Sequence, residues 1–324
     1  MDISQRKVVA LAGGVGGAKL VDGLAQYLPP ENLTVIVNIG DDFEHLGLKI
    51  CPDLDTVCYT LAGLANPKTG WGLADETWHA MEQVSILGGP DWFRLGDRDL
   101  GTHLERTRRL SAGETLSQIT RHFCKEWGIG ITVLPASDDR VPTWVYTEEG
   151  EMTFQEYFVH QHCHPVVKEF RFEGNERVRP APGVLESLHE ADTIIFCPSN
   201  PWVSIDPILA IPQIQQAVEA NAVIAVSPII GGEAVKGPAA KMYAELGIEP
   251  SALAVARHYQ DLLDGFVFDR IDVDEFETIS RLGIRPYTTN TLMHTPADRR
   301  QLAEEVVEFS FSMMENHLET RPLG

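Results

Sequence analysis

The sequence predicts an α/β fold: a Rossmann-like, mostly parallel sheet with helices on both faces and a smaller inserted lobe. Three observations predict it. A glycine-rich run, residues 11–20, joins a strand-like segment to a helical one. Short runs rich in Ile, Val and Phe recur between helical patterns near both ends of the chain. These runs are continuously apolar, as strands buried on both faces are, rather than alternating.

Residues 8–11 read as the first strand. Gly13, Gly14, Gly16 and Gly17 follow, and a helical pattern opens with Leu20, Leu24 and Leu28 on one face. Such a junction lets backbone N–H groups approach an anion, and the helix N-terminus adds its positive end. A phosphate-bearing ligand suits it; a turn that only packs helix on strand is the alternative. Lys19 stands where a dinucleotide fingerprint wants a small residue. Ala18 and Leu20 replace the Gly and the Ser or Thr of a nucleoside-triphosphate loop.

Residues 33–38 complete a βαβ unit and end at Asn38. The segment NIGDDFEHLGLKICPDLDT then carries Asp41 and Asp42 level with the glycine loop. There they could hold magnesium against a diphosphate or bond a nucleoside hydroxyl; Gly-Asp-Asp also favours a plain turn. A helix begins at PDLDT, with Asp53 read as its N-cap. Asp55 lies about 200° around the helix from Asp53. It could favour the helix dipole, or act as a base or metal ligand at a pocket wall.

The middle of the chain is richer in Trp, His and Arg. The expected organisation is therefore a nucleotide-binding core from residues 1–60 and 181–324, with 61–180 as the smaller lobe. Within that lobe, WFRLGDRDLGTH sets Arg94, Asp97, Arg98 and Asp99 beside two aromatics, a pattern suited to phosphate and heterocycle contacts. His160, His162 and His164 would share one face of an extended segment, but no further Cys/His pair supports a structural zinc site.

Further strands are expected at 193–197, 222–226 and 265–268. Their following loops, including Ser199-Asn200-Pro201, could share one crevice with the glycine loop, because ligands in open α/β sheets bind at the carboxyl ends of strands. A closing helix is expected from Thr295 as N-cap to about residue 317, with Leu302, Val306, Phe309 and Met313 on its packed stripe.

Composition narrows the class. The 324 residues carry a net charge of −21, which argues against nonspecific binding to nucleic acid or an anionic membrane. An acidic protein that binds phosphates is expected to recruit magnesium. Five cysteines without a C-x-x-C pair, no signal-peptide pattern and no long apolar run fit a cytoplasmic protein.

Taken in order, GGVGGAKL, NIGDDFEHLGLKICPDLDT, WFRLGDRDLGTH, PSNPWVSIDPIL and SPIIGGEAVKGPAAKM resemble the 2-phospho-L-lactate transferase (CofD-type) family of deazaflavin coenzyme biosynthesis. The blocks span residues 11–242. The resemblance implies a magnesium-dependent homodimer. It would move a phospho-(three-carbon acid) group from its guanosine diphosphate adduct to the ribityl hydroxyl of the deazaflavin Fo, releasing GMP. The group could be phospholactyl, phosphoenolpyruvyl or phosphoglyceryl. Asp55 and Arg94 fall where the family contacts Fo, and Asp55, Asp41 and Asp42 are the candidate catalytic carboxylates. Gly13, Gly14, Gly16, Gly17, Lys19, Asn38, Ser199, Asn200 and Pro201 fall on the nucleotide side. The competing class is a non-catalytic nucleotide-sugar-binding regulator of the same fold.

Overall fold

Seven strands form the central sheet of the computed structural model, which describes residues 5–172, 177–235 and 237–319, with side chains through residue 313. They are β1 (Val8–Ala12), β2 (Leu33–Val37), β3 (Thr132–Pro135), β4 (Thr193–Phe196), β5 (Val223–Val226), β6 (Gly265–Asp269) and β7 (Arg285–Thr289). Every residue of β1, β4, β5 and β6 is buried, so layers cover both faces. The spatial order is β3-β2-β1-β4-β5-β6-β7, and every pairing is parallel. Ala10 at the centre of β1 stands opposite Val35 of β2 and Ile195 of β4. The chain winds outward from β1 in one direction, then crosses back to start β4 on the other side. That reversal opens a crevice at the carboxyl ends of β1 and β4.

Five helices matter for the site: α1 (Gly14–Tyr27), α2 (Pro52–Leu61), α3 (His79–Ile86), α4 (Asp97–Ser111) and α5 (Pro296–Glu319). Helix α1 packs against α2 and α5. A Cβ at Gly23 would overlap the backbone oxygen of Arg299, so α1 and α5 touch backbone to backbone there. Thr295 and Asp298 cap α5 reciprocally, and Leu302, Val306, Phe309 and Met313 are all buried, as their spacing predicts.

The parallel α/β architecture is as predicted, but 61–180 is not wholly a separate lobe. Residues 132–135 form β3, an edge strand of the main sheet paired with β2. The region also supplies α3, α4 and a three-stranded antiparallel sheet built from Thr143–Thr147, Gly150–Thr153 and Val167–Phe172. β3 has only four residues and ends in Pro135, and β7 is a half-exposed RPYTT edge, so neither carries the apolar run that marks the inner strands. Among the described residues no helix is long and apolar enough to cross a membrane.

Candidate active site

A cavity of about 630 Å³ opens at the carboxyl ends of the central strands. At one end lie Gly13, Gly14, Gly16, Lys19, Ser199 and Asn200. Gly13 is extended and Gly14 takes a left-handed φ of 62° as the chain turns into α1. The Ser199 hydroxyl accepts from the Gly13 N–H at 3.2 Å and donates to the Gly13 carbonyl at 2.8 Å. A Cβ at Gly16 would overlap the Pro198 carbonyl oxygen, and one at Gly17 would sit 2.6 Å from the Ser199 hydroxyl. The glycines therefore allow the loops after β1 and β4 to touch. Gly16→Ala is expected to push them apart, costing about 1–3 kcal/mol of stability by overpacking. Thermal melting and nucleotide calorimetry would check this, with at least a tenfold affinity loss expected.

Some residues expected on the nucleotide side do not reach the cavity wall. Gly17 supports Ser199 from beneath, and Pro201 is buried in the turn after Asn200. Asn38 is fully buried and acts through two carboxylates. Its Nδ2 donates to Asp53 Oδ2 at 2.8 Å and to the Val203 carbonyl at 2.9 Å, and lies 3.4 Å from Asp41 Oδ1. Lys19 lines the cavity, with Nζ donating to the Met293 carbonyl at 2.8 Å.

The acidic pair beside the glycine loop is Asp41 with Asp53, not Asp41 with Asp42. Asp42 turns away to pair with Lys49 at 3.2 Å and lines a separate cavity of about 80 Å³. Asp53 is not the N-cap of α2. Pro52 occupies the first helical position, so the cap is Cys51, and Asp53 faces inward to accept the Gly14 N–H at 2.6 Å. Burial pushes the Asp53 carboxyl up to about 6, against the hydrogen bonds from Asn38 and Gly14. Burial, then the charges of Asp53 and Asp42, holds Asp41 well above the usual carboxylate range. Gln155 donates to Asp41 Oδ2 at 3.1 Å. Two buried carboxylates whose pKa values rise together suit a cation bound alongside phosphate oxygens. Among the described residues no group of three or more His, Cys, Asp or Glu side chains forms a metal cage. That donor set fits magnesium, which uses one or two carboxylates plus phosphate and water.

The other end of the cavity is aromatic. Trp71, Trp92, Phe93, Phe154 and Phe158 line it, and Phe154 and Phe158 stack at 5.4 Å. Arg94 lines it too, its guanidinium 4.9 Å from the Trp78 ring centroid. Asp55 is at the wall but is not a free carboxylate: both oxygens are held by the buried guanidinium of Arg106, from α4. Asp99 and His103, also on α4, line the cavity with Tyr59 of α2. Asp97 accepts from the N–H groups of His79 and Ala80 at the start of α3, and Arg98 donates to the Ala74 carbonyl at 2.6 Å. Both are structural.

The three histidines do not share a face. Residues 156–160 wind into a wide helical turn, and His162 and Cys163 follow at left-handed φ of 49° and 57°. His160 stacks on Trp92 at 5.3 Å, whereas His162 faces the cavity.

With this geometry in place, the chain can be set beside known proteins. The profile of the family described as 2-phospho-L-lactate transferase CofD matches residues 8–318. The chain belongs to that family. It is 47% identical over 93% of its length to a phosphoenolpyruvate transferase of Streptomyces griseus, covering 99% of that protein. It is 41% identical over 93% of its length to a 2-phospho-L-lactate transferase of Methanosarcina acetivorans, covering 98% of it. A Bacillus halodurans crystal structure, protein BH3568, superposes with a TM-score of 0.63 at 17% identity, over 94% of this chain and 99% of that one; it supports the fold. As a CofD-family member the chain is a phosphotransferase of deazaflavin coenzyme F420 biosynthesis, the activity its sequence blocks imply. The regulatory alternative is not favoured.

Asp53, Arg106, Tyr59 and Gln155 carry site geometry that the sequence reading did not assign. Two of them left a signal. Pro52 at the first helical position excludes Asp53 as the cap. Asp99, His103 and Arg106 are spaced four and three apart, one face of a helix.

Proposed function

We propose that the chain transfers a phosphoenolpyruvyl group from its guanosine diphosphate adduct to the terminal ribityl hydroxyl of Fo, releasing GMP. The observation that carries this reading is a single cavity lined by a glycine loop at a strand–helix junction and by a cluster of aromatic side chains. The choice of phosphoenolpyruvyl rests on the names of relatives at 44–48% identity.

The glycine loop would receive the diphosphate, with the first-turn N–H groups of α1 beyond Gly14 facing developing negative charge. Asp41 and Asp53 would hold magnesium, which when bound neutralises charge on the phosphoryl oxygens. The aromatic walls would stack the deazaflavin ring, with Arg94 donating to its polar edge. Holding both substrates in one cavity would line up hydroxyl and phosphorus. Incubating the protein with Fo and each candidate donor, then weighing the product, tests the reading. The mass of the phosphoenolpyruvyl adduct is expected; products from none of the three donors would sink it.

Magnesium must displace protons from Asp41 and Asp53, so its affinity is expected to fall as pH drops through about 6, the Asp53 value. Because the folded pKa is raised, the cation-free protein is stabilised by these groups below the ordinary carboxylate range and loses that stability as pH rises through about 6. The magnesium-induced rise in melting temperature should therefore be larger at about pH 7.5 than at about pH 5.5. An equal rise at both would remove these two residues as ligands. A homodimer in the cytoplasm completes the proposal on the strength of the family resemblance. Light scattering at micromolar concentration is expected to give twice the mass of 35.9 kDa, and a monomer mass would count against it.

A further inference from the structure

Five polar side chains at the aromatic end form one largely buried network, and in it the Asp99 carboxylate keeps one oxygen without a partner among the described residues. Arg106 spends two guanidinium nitrogens on Asp55. Its Nη1 also lies 3.2 Å from His103 Nδ1. Arginine can only donate, so Nδ1 is the acceptor and the imidazole hydrogen sits on Nε2. That nitrogen stands 3.3 Å from Asp99 Oδ1, one helical turn earlier on α4. The Tyr59 hydroxyl donates to the same oxygen at 2.6 Å. Asp99 also sits in the first turn of α4, where the helix dipole favours a carboxylate.

Oδ1 of Asp99 is thus fixed by Tyr59 and faces His103, while Oδ2 has no partner among the described residues, and the side chain lines the cavity. Burial alone would raise the Asp99 carboxyl, but His103, Tyr59 and Arg106 outweigh it and hold the group below the usual range. It is an ionised acceptor on a rigid element, beside aromatic walls.

The geometry points to Asp99, in addition to Asp55, as a carboxylate that accepts a hydrogen bond from the acceptor's hydroxylated side chain, with Tyr59 as its positioning residue. The ligand class is an alcohol chain attached to a planar ring. This rests on the transferase reading above. Asp55, paired with Arg106, also anchors α4 to α2 and so sets the depth of Asp99.

The test separates the assignment from that reading. Wild-type protein, Asp99→Asn and Tyr59→Phe are compared for binding of Fo, of a deazaflavin whose side chain carries no hydroxyls, and of GDP. Asp99→Asn keeps the shape and removes the charge. It should weaken Fo by about 10- to 100-fold, leaving GDP and the hydroxyl-free analogue within about twofold. Tyr59→Phe should weaken Fo by a smaller factor with the same selectivity, and both should raise the KM for Fo more than that for the donor. A merely structural role would weaken Fo and the analogue equally, and that result overturns the assignment, as would unchanged Fo affinity in Asp99→Asn. Failure of the wild-type protein itself to bind Fo would overturn the transferase reading instead, and this inference with it.

Discussion

Arg106→Met is expected to destabilise the protein by about 3–5 kcal/mol, because it leaves the Asp55 carboxylate buried without its partner. Arg106 and Asp55 are both buried, and the guanidinium also lies over the Phe123 ring at 5.9 Å. Burial works against the cation, but Asp55, Cys51 and Tyr59 together outweigh it and lift the Arg106 pKa well above its ordinary value. The cost belongs to the orphaned charge rather than to the pair. Arg106→Met combined with Asp55→Leu should therefore recover most of the loss, since a buried ion pair replaced by apolar groups is often close to neutral. Chemical denaturation of both variants checks this. A loss below about 1 kcal/mol in the single variant would mean that Asp55 is solvated and the network loose.

Asp53→Asn is expected to lower transfer by at least about 100-fold, roughly 3 kcal/mol of transition-state stabilisation. The amide oxygen can still accept the Gly14 N–H, but the new NH2 group faces the Asn38 donor and cannot bind a cation. The magnesium-induced thermal shift should disappear in the same variant. Wild-type turnover with an intact shift would place the cation elsewhere. Asp42→Asn is the contrasting control, because Asp42 faces Lys49 away from the cavity.

The parts of the site legible in the sequence are those set by local rules. Four glycines between an apolar strand and a helix describe a close backbone approach wherever they occur, and here Gly16 meets Pro198. The inner strands were legible because burial on both faces demands unbroken apolar runs. β3 and β7 were not, because an edge strand is held by pairing on one side and tolerates Pro135, Pro286 and exposed polar residues. The direction of neighbouring carboxylates was only partly legible. The 3.6-residue period separates Asp53 from Asp55, but it does not say which faces the glycine loop.

By itself, the sequence determined the strand–glycine–helix junction, the parallel inner sheet, the family and its transferase chemistry, each written in contiguous residues. Only the tertiary structure decided what each carboxylate faces. Asp41 pairs with Asp53 across Asn38, Asp42 is diverted to Lys49, Asp55 is paired with Arg106, and Asp99 keeps one oxygen without a partner among the described residues. The reason is physical: the state of a buried carboxylate is set by desolvation and by the charges and donors around it, and here those come from segments as many as 114 residues away in the chain.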